Sequence, residues 1–143
     1  MAGRRNHRIS VNIPEIDELG TIPVHNLVNF EGIHKVFDTQ ATFGGDVRAR
    51  LVVDTVNGRK TVTVVLRYTS FKVRVGELDP AIVRLVRRRI RWLNLLNRVV
   101  VCEAQIVADP KNPALYTVLL NPTHSEARLQ ERAAPLGRPP IVR

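Results

Sequence analysis

The stretch Leu78–Asn97, LDPAIVRLVRRRIRWLNLLN, decides how the chain is read, because it holds the one long helical pattern and the densest charge. Asp79 is a good N-cap, and Pro80 suits the first helical position, where its missing N–H leaves no bond unmade. At about 100° per residue, Ile82, Val83, Leu85, Val86, Ile90, Trp92, Leu93 and Leu96 fall on one broad arc, which predicts a buried face of that width. Arg84, Arg88 and Arg91 stand on the opposite side at i, i+4 and i+7, with Arg87 beside them and Arg98 just past the last turn. No Asp or Glu is interspersed. Like charges at this spacing repel by a few tenths of a kcal/mol per pair, so an ordinary exposed helix mixes acids with bases. A solvated basic face in an arginine-rich proteome is the plainer reading; a surface facing a polyanion is the expectation adopted. Arg89 projects into the apolar arc, and is expected to snorkel, to pair with an acid such as Glu103 or Glu77, or to reach a neighbouring subunit.

The whole chain points the same way. Its 143 residues suit one domain, and 44% apolar content suffices for a core, but the formal charge of +9 implies an acidic or nucleic-acid partner. Arginine outnumbers lysine 18 to 4, and guanidinium forks suit bidentate phosphate contacts. A single cysteine, Cys102, excludes an intrachain disulfide and a cysteine-based zinc site, and reads as a small buried hydrophobe. No apolar run reaches the roughly 18 residues needed to span a bilayer, and MAGRRNHRIS lacks the apolar stretch of a secretory signal. A reducing intracellular compartment or a virion is the expected setting, with no membrane partner.

Outward from the helix, Val47–Thr69 reads as a hairpin closed by Asn57-Gly58. That loop pairs Val53 with Val62, Leu51 with Val64 and Ala49 with Leu66 on one face. Asp54–Thr61, Val52–Thr63, Arg50–Val65 and Arg48–Arg67 then share the other. Phe71, Val73 and Val75 alternate with Lys72 and Arg74, predicting a third strand with a basic exterior. Beyond the helix, Val99–Asp109 and Ala114–Asn121 read as two strands around a proline-rich turn, with Val100, Cys102, Ala104, Ile106 and Ala108 on one face. Thr21–Gln40 has no clean period and predicts only short elements. Glu15, Asp17 and Glu18 form an acidic cluster, expected to neutralise arginines of the same chain or, by preference, of a neighbouring copy.

The expected fold class is therefore α+β: a mainly antiparallel sheet in the order β-β-β-α-β-β, packed against one long Arg-rich helix, with extended basic N- and C-terminal arms. The expected division is an N-terminal arm over 1–10, a single α+β domain over 11–122, and a short helix plus Pro-rich arm over 123–143. Thr123 and Glu126 fit a capping box for that helix.

No catalytic pattern emerges. The four histidines, His7, His25, His34 and His124, are scattered; Gly44-Gly45 is a lone doublet rather than a phosphate loop; and no nucleophile elbow is present. His34 and Asp38 would share a helical face, a spacing typical of a surface ion pair. No catalytic residue, metal site or cofactor is expected. Few aromatics are available; Phe71 and Tyr68 fall on the core side and Trp92 at the edge of the apolar arc of the helix, and all three are expected to be structural rather than platforms for base stacking.

The expected function is a non-enzymatic protein that contacts nucleic-acid phosphates without reading sequence, as a repeated subunit of a nucleoprotein assembly such as a virion or ribonucleoprotein. Arg84, Arg87, Arg88, Arg91 and Arg98 are its candidate contacts, joined by Arg48, Arg67 and Arg74 on the sheet and Arg4, Arg5 and Arg8 in the arm. The alternative is a subunit of a homo-oligomeric ring or shell whose arginines and arms pair with acidic surfaces of neighbours.

Overall fold

Asn57 and Gly58 both take positive φ, 53° and 76°, the conformation a two-residue hairpin loop needs to match the twist of its strands. A computed structural model describes residues 9–112 and 115–122 of the chain. Around that loop, β3 (Val47–Val56) and β4 (Arg59–Tyr68) pair antiparallel, with Arg48 opposite Arg67 and Val53 opposite Val62. The register follows the hydrophobic alternation, since a slip of one residue would turn Ala49, Leu51, Val62, Val64 and Leu66 into solvent.

The other elements are β1 (Ile9–Val11), α1 (Pro14–Leu19), β2 (Ile22–Pro23), α2 (Phe30–Phe43), β5 (Phe71–Glu77), α3 (Pro80–Leu95), β6 (Arg98–Ala108) and β7 (Tyr116–Leu120). The protein is mixed α+β, with a seven-stranded sheet in which six strands follow the order β2-β7-β6-β3-β4-β5 and β1 joins alongside β6. Pairing is antiparallel except for β1, which runs parallel to β6 and matches Ile9 with Arg98 and Ser10 with Val99. Ile9 and Ser10, placed by sequence in a free arm, are thus sheet residues.

The sheet's two edges meet. Val24 N–H donates to the Val118 carbonyl on one side, while His25 and Glu77 exchange backbone hydrogen bonds of 2.8 and 2.9 Å on the other. The segment after β2 therefore closes β7 onto β5. A register shift in β5 opposite Val64 and Val65 puts Val75 and Gly76 together on the inner side, and Gly76 lies where the closing strand passes.

Val47, Ala49, Leu51, Val62, Val64, Leu66, Val100, Cys102, Val118 and Leu120 line the inner face, all buried. Ile33 and Val36 of α2 and Val83, Val86 and Ile90 of α3 pack into the same core. Full burial of such a side chain contributes about 1.5–3 kcal/mol relative to exposure, so these three residues chiefly anchor α3. Asp79 caps its start, accepting from the Ala81 N–H at 2.8 Å, and Asn97 turns the chain at φ 63° just beyond its end.

Three expectations are corrected here. The buried face of α3 is narrower than its apolar arc: Ile82 and Leu93 are half-buried, while Leu85, Trp92 and Leu96 are exposed. Periodicity locates the inward side of a helix but not how wide a surface its partner offers. Arg89 pairs with Glu15 of α1 at 3.0 Å rather than with Glu77 or Glu103. Glu15, one member of the acidic cluster, thereby serves an arginine of its own chain, the same-chain alternative. His34 engages the Tyr116 hydroxyl of β7, not Asp38.

Glu77 is unavailable to Arg89 because Arg59 holds it, at 2.9 Å to Oε1, with Nη2 3.4 Å from Oε2 and the Thr61 hydroxyl donating at 3.2 Å. The Arg59 hydrogen bond lowers the Glu77 pKa; partial desolvation opposes it, and Thr61 adds to the lowering. A carboxyl whose folded pKa lies below its unfolded value adds stability above the unfolded pKa, and loses it as pH falls through the folded one. Wild-type stability is therefore expected to fall on acidification from pH 5 toward pH 3 more steeply than that of Glu77→Gln, and the variant to be less stable by about 1–3 kcal/mol at pH 7. Urea titrations at both pH values check this.

Candidate functional site

The guanidinium groups of α3 divide by direction. Because Val83, Val86 and Ile90 point into the core, Arg84, Arg88 and Arg91 lie on the far side and are exposed, and Arg87 is half-buried on one flank. Among the described residues, none of these four has a carboxylate oxygen within 4.0 Å; the ion pairs found are His25–Asp79, Arg59–Glu77 and Arg89–Glu15. The buried Nε atoms of Arg87 and Arg98 also have no hydrogen-bond partner among the described residues. Arg98 is set apart, half-buried at the start of β6 beside Ile9.

A second basic surface comes from strand register. On the face of the sheet turned away from α3, Arg48, Arg67 and Lys72 stand abreast on β3, β4 and β5, and the neighbouring row reads Arg50, Val65, Arg74. Side chains directly opposite on adjacent strands have Cβ atoms about 5 Å apart, and like charges at that spacing are destabilising. The acid nearest in register is Glu103, opposite Arg48 on β6, and it makes no ion pair with Arg48. Next to Lys72 and Arg74, the first residues of α2, Phe30, Glu31 and Gly32, border a cavity of about 450 Å³. The positive end of the α2 dipole thus abuts the same strand.

Of the sequence-predicted contacts, the structure gathers Arg84, Arg87, Arg88 and Arg91 on one helix surface, and Arg48, Arg67 and Arg74 on the opposite side of the sheet. The two groups do not form one site. Arg4, Arg5 and Arg8 lie outside the described residues, as does the short helix expected after Thr123. Lys72 and Arg50 were not among the candidates, although the hairpin register places each beside one.

The α3 surface also carries apolar groups. Leu85, Trp92, Leu95 and Leu96 are 61%, 56%, 78% and 50% exposed, so they share solvent with the arginines.

Elsewhere, a cavity of about 540 Å³ lies where β6 runs between β1 and β7, lined by Asp17, Arg48, Glu103, Asn121 and the edge of Cys102 among others. Burial, with smaller contributions from Asp17 and Glu103, pushes the Cys102 thiol up to about 12 against a backbone hydrogen bond from Asn121. The thiol is therefore protonated at neutral pH and unsuited to nucleophilic work. No cluster of three His, Cys, Asp or Glu residues suited to a metal occurs among the described residues. No described helix is long and apolar enough to cross a membrane. Comparison with protein-family models, curated proteins and solved structures finds no match to this chain.

Proposed function

We propose that this protein is a non-enzymatic binder of nucleic-acid phosphates, engaging them through the outer surface of α3 and, on the other side, through the cation rows of β3–β5. The observation that carries the reading is the set Arg84, Arg88 and Arg91, exposed in one stripe with no carboxylate in reach among the described residues, while Arg89 on the same helix has its acid. An unpaired stripe of that kind costs the free helix repulsion that an anionic partner would relieve. The abreast row Arg48, Arg67, Lys72 supports the same reading by the same logic. Backbone contacts of this type position a protein without reading base sequence, which suits a repeated subunit coating a nucleic acid.

Titration of nuclease-treated protein with a labelled 20-base-pair duplex at rising salt tests the proposal. With about five phosphates engaged, log K should fall against log salt with a slope near −4.5. Absence of binding at low salt, or affinity indifferent to salt, contradicts it.

A second reading, a homo-oligomeric subunit whose arginines pair with acidic surfaces of neighbours, draws support from Phe43 and Phe30, 79% and 43% exposed on α2. It requires a stable oligomer in nucleic-acid-free protein, measurable by light scattering.

A further inference from the structure

We infer that Trp92 is a base-stacking platform and that the α3 surface prefers single-stranded nucleic acid to duplex. The inference rests on the phosphate-binding reading above and adds to it the state of the strand bound.

Three observations combine. The indole is 56% exposed, and its apolar neighbours Leu85 and Leu96 on the same stripe are exposed as well, so the residue does not serve the core. Along that stripe the successive turns carry Leu85, then Arg88 and Arg89, then Trp92, then Leu95 and Leu96. Arg88 stands one turn before the indole and Arg91 is its sequence neighbour, both without a carboxylate among the described residues. A π-face with the guanidinium of Arg88 one turn before it and that of Arg91 beside it sets a stacking surface next to phosphate-binding groups, as base and phosphate adjoin along an unpaired strand. Base-aromatic stacking needs only a π-face, which every base offers once it is out of a duplex, whereas paired bases are covered by their neighbours.

A protein partner fits this surface less well. Between Leu85 and Trp92 this stripe carries Arg88 and Arg89, so a protein partner would have to bring acids to the centre of its patch, where Asp and Glu are depleted. A second copy laid helix against helix would oppose five arginines to five with no acid in either Pro80–Leu95 segment.

Trp92 is the only tryptophan of the chain, so its emission reports on this surface alone. Oligo-dT of 20 nucleotides and a 20-base-pair duplex are titrated into nuclease-treated, full-length protein at low salt, with Trp92→Leu and Trp92→Phe followed by anisotropy of labelled oligonucleotides. The expected result is quenching by oligo-dT well beyond that by duplex. Trp92→Leu should lower oligo-dT affinity about 5- to 150-fold and reduce its ratio to duplex affinity, with Trp92→Phe recovering most of the loss. Equal binding of both nucleic acids with unchanged emission and no effect of Trp92→Leu overturns the stacking role and leaves phosphate binding standing. Failure of both nucleic acids to bind overturns the stacking role and the phosphate-binding reading together. A concentration-dependent blue shift without nucleic acid, accompanied by dimer mass in light scattering, assigns the surface to a second copy and likewise overturns the inference.

Discussion

Alanine at Gly76 is expected to destabilise the protein by on the order of 3 kcal/mol or more. A Cβ there would lie 2.5 Å from the His25 carbonyl oxygen and 2.6 Å from a Val24 methyl, with the Asn26 carbonyl oxygen at 3.4 Å. The obstacle is mainly backbone, which cannot rotate aside. To admit the methyl, the segment after β2 must leave β5, and the paired His25–Glu77 hydrogen bonds that close the sheet go with it. Overpacking in a filled interior costs about 1–3 kcal/mol, and each lost hydrogen bond roughly 0.5–1.5 more. Against a typical stability of about 5–15 kcal/mol, that is a large fraction. Gly32→Ala makes the useful contrast. Its Cβ meets a Val73 methyl at 2.7 Å, a side-chain contact on a helix that gains about 1 kcal/mol of propensity from alanine, so it should lose less. Urea denaturation ranks the two, and hydrogen exchange at the His25 and Glu77 amides should report early opening only in Gly76→Ala.

The second large effect is on binding. Replacing Arg84, Arg88 and Arg91 together by glutamine removes three exposed cations with no carboxylate in reach among the described residues, so stability should change little or rise slightly as repulsion is relieved. Affinity for nucleic acid should fall steeply. Counterion release is worth nearly tenfold per phosphate contact at 0.1 M salt, so three contacts predict a loss on the order of 10²–10³-fold. Unchanged melting with lost binding would separate a functional surface from a structural one.

How much of this was legible beforehand follows from the range of each signal. The start of α3 lies in adjacent residues, Asp79 and Pro80, and the β3–β4 register in a two-residue loop flanked by clean alternation. Both are local and both could be read. The closure of the sheet could not, because it joins His25, just past a β2 two residues long and ending in proline, to a Glu77 far along the chain, with no periodic pattern to announce it. Arg89 went unmatched for the same reason: its acid sits on α1, and only the folded arrangement brings Glu15 to it. Trp92 reads as structural in the sequence because a helical wheel gives direction without width. The omission of Lys72 has a different origin. Its place beside Arg67 on β5 follows from the alternation over Phe71–Val75, a signal carried by strand register and not by arginine content.

The central claim is that the outward arginines of α3 exist to meet phosphates. The most direct measurement is the salt dependence of nucleic-acid affinity for the wild type and for the Arg84, Arg88 and Arg91 triple glutamine variant, side by side. The slope of log K against log salt should shrink in magnitude by about 0.9 for each arginine removed on duplex, or about 2.7 in all. An identical slope in the two proteins would mean that these groups never touch the nucleic acid, and would contradict the account.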